Sequence, residues 1–267
     1  MKLEQLDGST LLYGIVGDPI TAARSPEVFN TMFAQKGINA VLVPLHVGQG
    51  DLETAWAGLS MLRNLRGLVI TMPHKTRVLP LMSRIGEAGQ LVGAVNAARR
   101  EPDGSWHGDM FDGIGFVAGL RAQGHEPAGW NVRLWGVGGA GSAIALALAQ
   151  AGVAGLVLHD RDVLRRDRLC RQLQQAFPHV DISTGAHHFK VDAVINATPL
   201  GMQATDPLPF DPAELPRETL VVDVVTKPEI TPLLQRAMDT GHAAHAGKHM
   251  HLGQARCVAR FFGYELD

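Results

Sequence analysis

Cysteine is nearly absent from this chain of 267 residues: only Cys170 and Cys257 are present, far apart in sequence. Two thiols so placed exclude a disulfide framework and a cysteine-based zinc site. An excess of one charge is lacking too. Lys and Arg number 24 against 26 Asp and Glu, a formal net charge of −2. That balance implies no nucleic-acid or anionic-membrane partner, since both need a basic surface. There is no long apolar run. The most apolar stretch, Ile144 to Leu158, is broken by Gln150, Gly152 and Gly155, so it reads as helix, turn and strand rather than a membrane span of about 20 residues. Met1 to Thr10 is polar, without the apolar centre of a secretory signal, and the expected location is the cytoplasm. Repeats and low-complexity tracts are missing as well. What is there is an ordinary globular composition, 46% apolar and 19% charged, with length for one large domain or two small ones at about 100–200 residues each.

The most informative segment is Gly136-Val137-Gly138-Gly139-Ala140-Gly141. Asn131 to Trp135 before it reads as a short buried strand. Ser142 to Ala151 after it, rich in Ala and Leu, reads as a helix. Gly155 to Leu158 is a second strand, ending in His159-Asp160. Strand, Gly-x-Gly-x-x-Gly, helix, strand and acid together form a dinucleotide-binding fingerprint. The glycines let the backbone approach a pyrophosphate, and the helix N-terminus offers it unpaired N–H groups and partial positive charge. Asp160 follows Gly141 by 19 residues (160 − 141), near the spacing of about 20 for an acid that accepts ribose hydroxyls.

About 130 residues with their own α/β signals lie ahead of this unit. Strands are expected at Leu11–Val16, Ala40–Val47, Gly67–Thr71 and Ala94–Arg99, from their apolar and β-branched runs. Helices are expected from Ser25-Pro26 to about Lys36, with Ser25 as N-cap, from Asp51 to Met61, capped by Asp51, and over Arg77–Gly86. Behind the fingerprint, Asp162–Phe177 reads as an amphipathic helix, Asp192–Asn196 and Thr219–Val224 as later strands, Glu229–Gly241 as a helix and His242–Ala246 as a last strand. His249–Phe262 carries apolar residues at helical spacing. The expected organisation is a substrate domain over 1–111, a dinucleotide domain over 112–246, and a C-terminal helix in 247–267 returning to the first domain.

Two segments of the first part have chemical potential. Thr71-Met72-Pro73-His74-Lys75 places a lysine just past a strand end, where open α/β sheets form ligand crevices. Gly108-Asp109-Met110-Phe111-Asp112-Gly113 carries two acids in what reads as a glycine-flanked turn. A Lys and an Asp facing one cleft could share proton-transfer work. On residue type alone, each is as readily a surface lysine or a loop aspartate.

With these segments in hand, the chain resembles the shikimate/quinate dehydrogenases. Gly17-Asp18-Pro19-Ile20 with Ser25-Pro26 is similar to that family's substrate loop, and Thr71 to Lys75 to its catalytic-lysine segment. Gly93-Ala94-Val95-Asn96, Gly108-Asp109 with Asp112-Gly113, Gly136 to Gly141, Asn196 to Met202, Asp223, Gly247 and Gln254 continue the series in order. The resemblance implies a two-domain α/β enzyme with a Rossmann dinucleotide domain, moving a hydride between a nicotinamide cofactor and a ring hydroxy acid or its ketone. Lys75 and Asp112 would be its catalytic pair. Ser25, Thr71, Asn96 and Gln254 would supply polar contacts to the substrate. Gly136, Gly138, Gly139, Ala140, Gly141, Asp160, Arg161, Thr198, Pro199, Val224 and Gly247 would hold the cofactor. The bland alternatives are local: Ser25 as a helix cap, Asn96 as a bridge between loops.

Departures from the family pattern matter as much. The first of two serines in the substrate loop is Ala23; an Asn ahead of Thr71 is Val69; a Thr ahead of Asp112 is Phe111; a Tyr beyond Asp223 is Thr226. Each loss of a hydrogen bond to a charged group costs about 1.5–3 kcal/mol, so weak activity on shikimate itself is expected, with Phe111 placing apolar surface against the substrate. The Asn-Arg-Thr of NADP-using members is Asp160-Arg161-Asp162 here. Two carboxylates would repel a 2′-phosphate, so NAD is the expected cofactor, with Arg161, Arg165 and Arg166 leaving room for NADP. His242, His245, His249 and His251 cluster without Asp or Glu nearby, and no metal is expected; His187-His188 reads as an exposed pair. The rival reading is an NAD-binding regulatory or catalytically silent homologue. A monomer or homodimer is expected, with a small hydroxy acid as the only partner.

Overall fold

Runs of buried β-branched and aliphatic residues between polar turns divide the chain into two α/β units. In the computed structural model, which describes residues 6–21, 23–185, 190–203 and 205–265, the compact units are Met1–Phe111 with Ala255–Asp267, and Asp112–Gln254. Among the described residues the strands form two sheets of six.

The first unit contains β1 (Leu11–Gly17), α1 (Ser25–Gln35), β2 (Ala40–His46), α2 (Leu52–Ser60), β3 (Leu65–Ile70), β4 (Arg84–Ile85), α3 (Glu87–Val92), β5 (Ala97–Arg100) and β6 (Trp106–Asp109). Its strand order is β2-β1-β3-β5-β6-β4. β1 runs parallel to β2 and β3, with Ile15 beside Val69, whereas β5 is antiparallel to β3 and β6. β1 and β3 are covered on both faces, which is why they read as nearly continuous apolar runs. One face packs Tyr13, Ile15, Phe29, Phe33, Val69 and Phe111 together with Ala255, Val258 and Phe262. The other packs Val16, Leu68 and Ile70 against Leu52, Trp56 and Trp106.

Three expectations in this unit need correction. Arg77–Gly86 is not a helix: a 3₁₀ turn covers Leu79–Leu81, β4 follows, and the helix starts only at Glu87. Pro80 stops helical pairing there, and Val78, Leu79, Leu81, Met82 and Ile85 reach the core from the 3₁₀ turn, its flanks and the short strand instead. Ser25 is not a cap either. Arg24 holds the N-cap position, no side chain caps the helix, and Ser25 is its buried first residue. Asp51 does stand at the N-cap of α2, without a side-chain cap bond. Finally, Gly108–Gly113 is strand end and helix start rather than a loop: Met110 and Phe111 alone separate β6 from the next helix.

The second unit contains α4 (Asp112–Ala122), β7 (Asn131–Trp135), α5 (Gly139–Gln150), β8 (Gly155–His159), α6 (Val163–Ala176), β9 (Asp181–Ser183), β10 (Ala193–Asn196), β11 (Leu220–Asp223), α7 (Pro232–Asp239) and β12 (Ala244–Ala246). The last helix, α8 (Lys248–Phe261), has Lys248–Gln254 in this unit and Ala255–Phe261 in the first. All six strands are parallel, in the order β9-β8-β7-β10-β11-β12. That is the doubly wound dinucleotide-binding topology, whose ligand crevice opens where the order reverses, between β7 and β10. The α/β class expected from sequence is present in both units. No helix among the described residues is long and apolar enough to cross a membrane.

Candidate active site

In the second unit the fingerprint closes β7 and opens α5. Gly136 adopts φ of 92°, a left-handed conformation that favours glycine, and a Cβ there would strike the backbone of Ala197. A Cβ on Gly141 would collide with the Gly136 carbonyl. At Gly138 the situation differs: an added Cβ would meet nothing within 4 Å. The protein leaves that space open, and an open glycine at a helix N-terminus fits close approach by a pyrophosphate. α5 begins at Gly139, so Gly139, Ala140 and Gly141 form its first turn, three residues ahead of the expected start.

Asp160 follows β8 and faces this loop. Its Oδ2 accepts the Val137 amide at 2.7 Å and its Oδ1 the Asp162 amide at 2.8 Å. The Arg165 guanidinium spans both oxygens at 3.0 and 3.1 Å. Burial opposes the charge, yet the two amides and Arg165 outweigh it and hold the carboxyl below the ordinary aspartate value. Its side chain is 5% exposed. Asp162 caps α6 by accepting the Arg165 amide, and Arg161 is exposed.

A buried polar network supports the segments after β10 and β11. Asn196 donates from Nδ2 to Asp223 Oδ1 and to the Leu200 carbonyl, both at 3.0 Å. Its Oδ1 accepts the amide and the hydroxyl of Thr198, at 3.0 and 2.6 Å. Asp223 also accepts the Val225 amide at 3.0 Å and the Thr231 hydroxyl at 2.6 Å. Burial pushes the Asp223 carboxyl above its ordinary value, against the pull of these hydrogen bonds. The Asn196–Met202 motif therefore shapes a turn: it fixes Thr198, with exposed Pro199 behind it. A Cβ on Gly247 would strike the Val224 carbonyl, so Gly247 and Val224 abut.

Asp112 opens α4 and is buried. Gln254 Nε2 donates to its Oδ1 at 2.7 Å. This contact exists because α8 lies against α4: a Cβ on Gly115 would strike the backbone of Gln254, and one on Gly119 that of His249. Gln254, expected to touch substrate, here holds the Asp112 carboxylate.

In the first unit, the ends of β1, β2 and β3 converge on the Lys75 segment. Thr71 donates its amide to the Val16 carbonyl at 2.9 Å, and Asp18 donates to Met72 at 2.9 Å. Val95 donates to the Lys75 carbonyl at 2.8 Å, so the backbone that carries the amine is held on both sides. Asn96 is buried; its Oδ1 accepts the Phe111 amide at 2.9 Å. The bridge between segments is thus real for Asn96. Asp109 serves the fold, since its Oδ1 accepts the amides of Gly89, in the first turn of α3, and Met110, each at 2.8 Å. Residue type and spacing alone do not distinguish that aspartate from Asp112; only the family resemblance does.

Phe111 corrects an expectation. It is 9% exposed and packs its ring 4.9 Å from that of Phe261, so most of its apolar surface serves the core. Val69 is buried in the same cluster, and Ala23 rests at its edge. Thr226 is half-buried beyond β11. Among the described residues no group of three His, Cys, Asp or Glu is placed to hold a metal. His242 engages the Thr240 hydroxyl at 2.9 Å, whereas His245 is buried between His125 and His249. His187 and His188 lie outside the described residues.

Residues 15–98 match the family model described as the shikimate dehydrogenase substrate binding domain. Shikimate dehydrogenase (NADP(+)) from Rubrobacter xylanophilus is 40% identical over 262 residues, covering 95% of this chain and 91% of that protein. Among solved structures, quinate dehydrogenase from Corynebacterium glutamicum in complex with NAD superposes with a TM-score of 0.85 at 30% identity, covering 97% of this chain and 95% of the other. The ligand-free 5-ketofructose reductase of a Gluconobacter strain gives 0.83 at 28% identity, covering 97% and 95%.

Proposed function

This chain belongs to the shikimate dehydrogenase family, nicotinamide-dependent oxidoreductases acting on CH–OH groups, and within that family we propose an NAD-preferring member acting on a ring hydroxy acid of the shikimate or quinate kind, weakly on shikimate itself.

The observation that carries the cofactor reading is the Asp160 carboxylate, fixed against the glycine loop by the Val137 amide. A fixed anion there accepts ribose hydroxyls and repels a 2′-phosphate, and Asp162 adds a second negative charge two residues on. The relative from Rubrobacter uses NADP by its name, and the Corynebacterium enzyme was solved with NAD, so the family accommodates either.

When bound, the nicotinamide supplies the hydride acceptor or donor. The chain's own part is positioning and proton transfer. Lys75 takes the proton of the reacting hydroxyl as the carbon beneath it becomes a ketone, and returns it in the reverse direction. Asp112, oriented by Gln254, holds a neighbouring hydroxyl. Ser25, Thr71 and Asn96 orient the rest of the ring. The weak-shikimate reading rests on Ala23, Val69, Phe111 and Thr226, where side chains that could bond a polar substrate are replaced.

The test is a panel of hydroxylated ring acids, amino analogues included, followed by NADH and NADPH absorbance. The expected outcome is turnover on at least one panel member with NAD favoured, falling about 10²–10⁴-fold in Lys75→Ala as for loss of a general base. Undiminished turnover in Lys75→Ala would reject Lys75 as the proton-transferring group, and no turnover on any panel member would favour a cofactor-binding homologue without chemistry. A lower Kd for NADP than for NAD would reject the cofactor preference.

A further inference from the structure

A buried histidine joins the ends of three parallel strands directly beside the lysine. His74 is fully buried, and its Nε2 donates to the Val47 carbonyl at 2.8 Å. A carbonyl oxygen only accepts, so Nε2 carries the proton and Nδ1 is a bare acceptor in the neutral ring. Among the described residues Nδ1 has no hydrogen-bond partner. Val47 follows β2 and donates its own amide to the Gly17 carbonyl at 3.2 Å; Asp18, next in the chain, donates to Met72 at 2.9 Å. His74 also donates its amide to Thr71 and accepts from Val78, both at 3.0 Å. Its ring therefore closes a circuit through the segments after β1, β2 and β3.

We propose that His74 is a positioning residue for the reaction: its Nε2–H bond to Val47 fixes the turn from which Lys75 presents its amine. This rests on the reading of Lys75 as the proton-transferring group. A merely space-filling role would call for an apolar side chain, since a buried imidazole with an unpaired nitrogen is a poor core residue. The side chain of Lys75 leaves the backbone one residue beyond His74, and a catalytic group displaced by about 1 Å can lose roughly 10²-fold in rate.

The experiment compares His74→Phe, His74→Gln and Lys75→Ala in the full chain, by steady-state kinetics on the best panel substrate and by thermal unfolding. Phe fills the space without a donor; the Gln Nε2 can reach the position of the imidazole Nε2. His74→Phe is expected to lower kcat by about 30- to 100-fold while the KM for the nicotinamide cofactor stays put, and to shift the pH profile of the residual rate as the amine changes surroundings. His74→Gln is expected to restore most of kcat and the original pH profile. A kcat in His74→Phe within about twofold of the parent overturns the proposal. So does a loss in His74→Gln equal to that in His74→Phe. If His74→Phe does not fold, His74→Asn replaces it against His74→Gln: the shorter amide falls short of Val47, and equal rates then overturn the role. Undiminished turnover in Lys75→Ala removes the role of Lys75 on which the positioning proposal rests. An inactive Lys75→Ala beside an unimpaired His74→Phe removes only the positioning role.

Discussion

Asp160 Oδ2 and the Val137 amide lie 2.7 Å apart, which ties the acid after β8 to the loop after β7. The same carboxylate is spanned by Arg165. A ribose diol approaching Asp160 therefore competes with a guanidinium on a flexible stem, and removing the acid releases that guanidinium.

Asp160→Ala is accordingly expected to weaken NAD binding by about 10- to 100-fold, the loss of one bond to a charged group at about 1.5–3 kcal/mol. Its NADP affinity should fall far less or rise, because Arg165 is then free to meet a 2′-phosphate. Isothermal titration with both cofactors reads the ratio directly. A parallel fall for NAD and NADP would mean that Asp160 only maintains the loop.

Gly115→Ala tests whether Asp112 depends on the approach of α8 to α4. The added methyl would strike the backbone of Gln254, and overpacking of this kind costs about 1–3 kcal/mol. The expected result is a lower unfolding midpoint and a kcat reduced alongside it, because the Gln254–Asp112 bond is broken. Gln254→Ala should reproduce the kcat loss with a much smaller change in stability. If Gln254→Ala leaves kcat and substrate KM untouched, the bond orients nothing of consequence.

That helix contact also shows where the sequence is opaque. The dinucleotide unit is legible because each of its signals has a local cause: glycines for close approach, an alanine-rich helix, an acid at the next strand end. α4 is not, since Gly113, Gly115 and Gly119 depress helix propensity and their purpose lies in close contacts with α5 and α8, distant in sequence. Arg77–Gly86 misleads in the opposite way: helix-like apolar spacing serves the core from a 3₁₀ turn and a two-residue strand. Phe111 reads as facing substrate because its neighbour is Asp112; its ring belongs to an aromatic cluster with Phe261, far along the chain. His74 carries no signal, since its partner Val47 is brought to it only by strand order.

Ala23→Ser tests the substrate reading. Ala23 stands at the edge of the apolar cluster rather than within it, so a hydroxyl there is tolerated where Phe111→Thr would open a cavity. If the missing serine limits binding of the carboxylate, the substitution should raise kcat/KM for shikimate by about tenfold or more, from a charged hydrogen bond of about 1.5–3 kcal/mol. The gain should appear in KM. No change, or parent activity already at the level of an efficient shikimate dehydrogenase, would retire the idea that the replaced residues weaken shikimate binding.

His245 predicts how stability depends on pH. Burial first, then the neighbouring His249 and His125, lower its pKa to about 4. In the unfolded chain its pKa returns to about 6.5. Between these values the unfolded state binds more protons, so stability rises with pH: the contribution is complete above about pH 6.5 and is lost as pH falls towards 4. The size is roughly 3 kcal/mol at most, from about 1.36 kcal/mol per unit. Asp223 works with the opposite sign. Its raised folded-state value means the folded state keeps its proton longer, so its contribution favours acid and is lost as pH rises above the ordinary aspartate range. The net slope of the parent protein mixes the two, and a variant is needed to separate them. His245→Leu keeps the volume without the titration. Denaturant unfolding at pH 7 and pH 4.5 should show parent and variant diverging in the acid by about 2–3 kcal/mol, the variant losing less. Equal losses in both proteins would show that His245 takes up its proton without opening the fold.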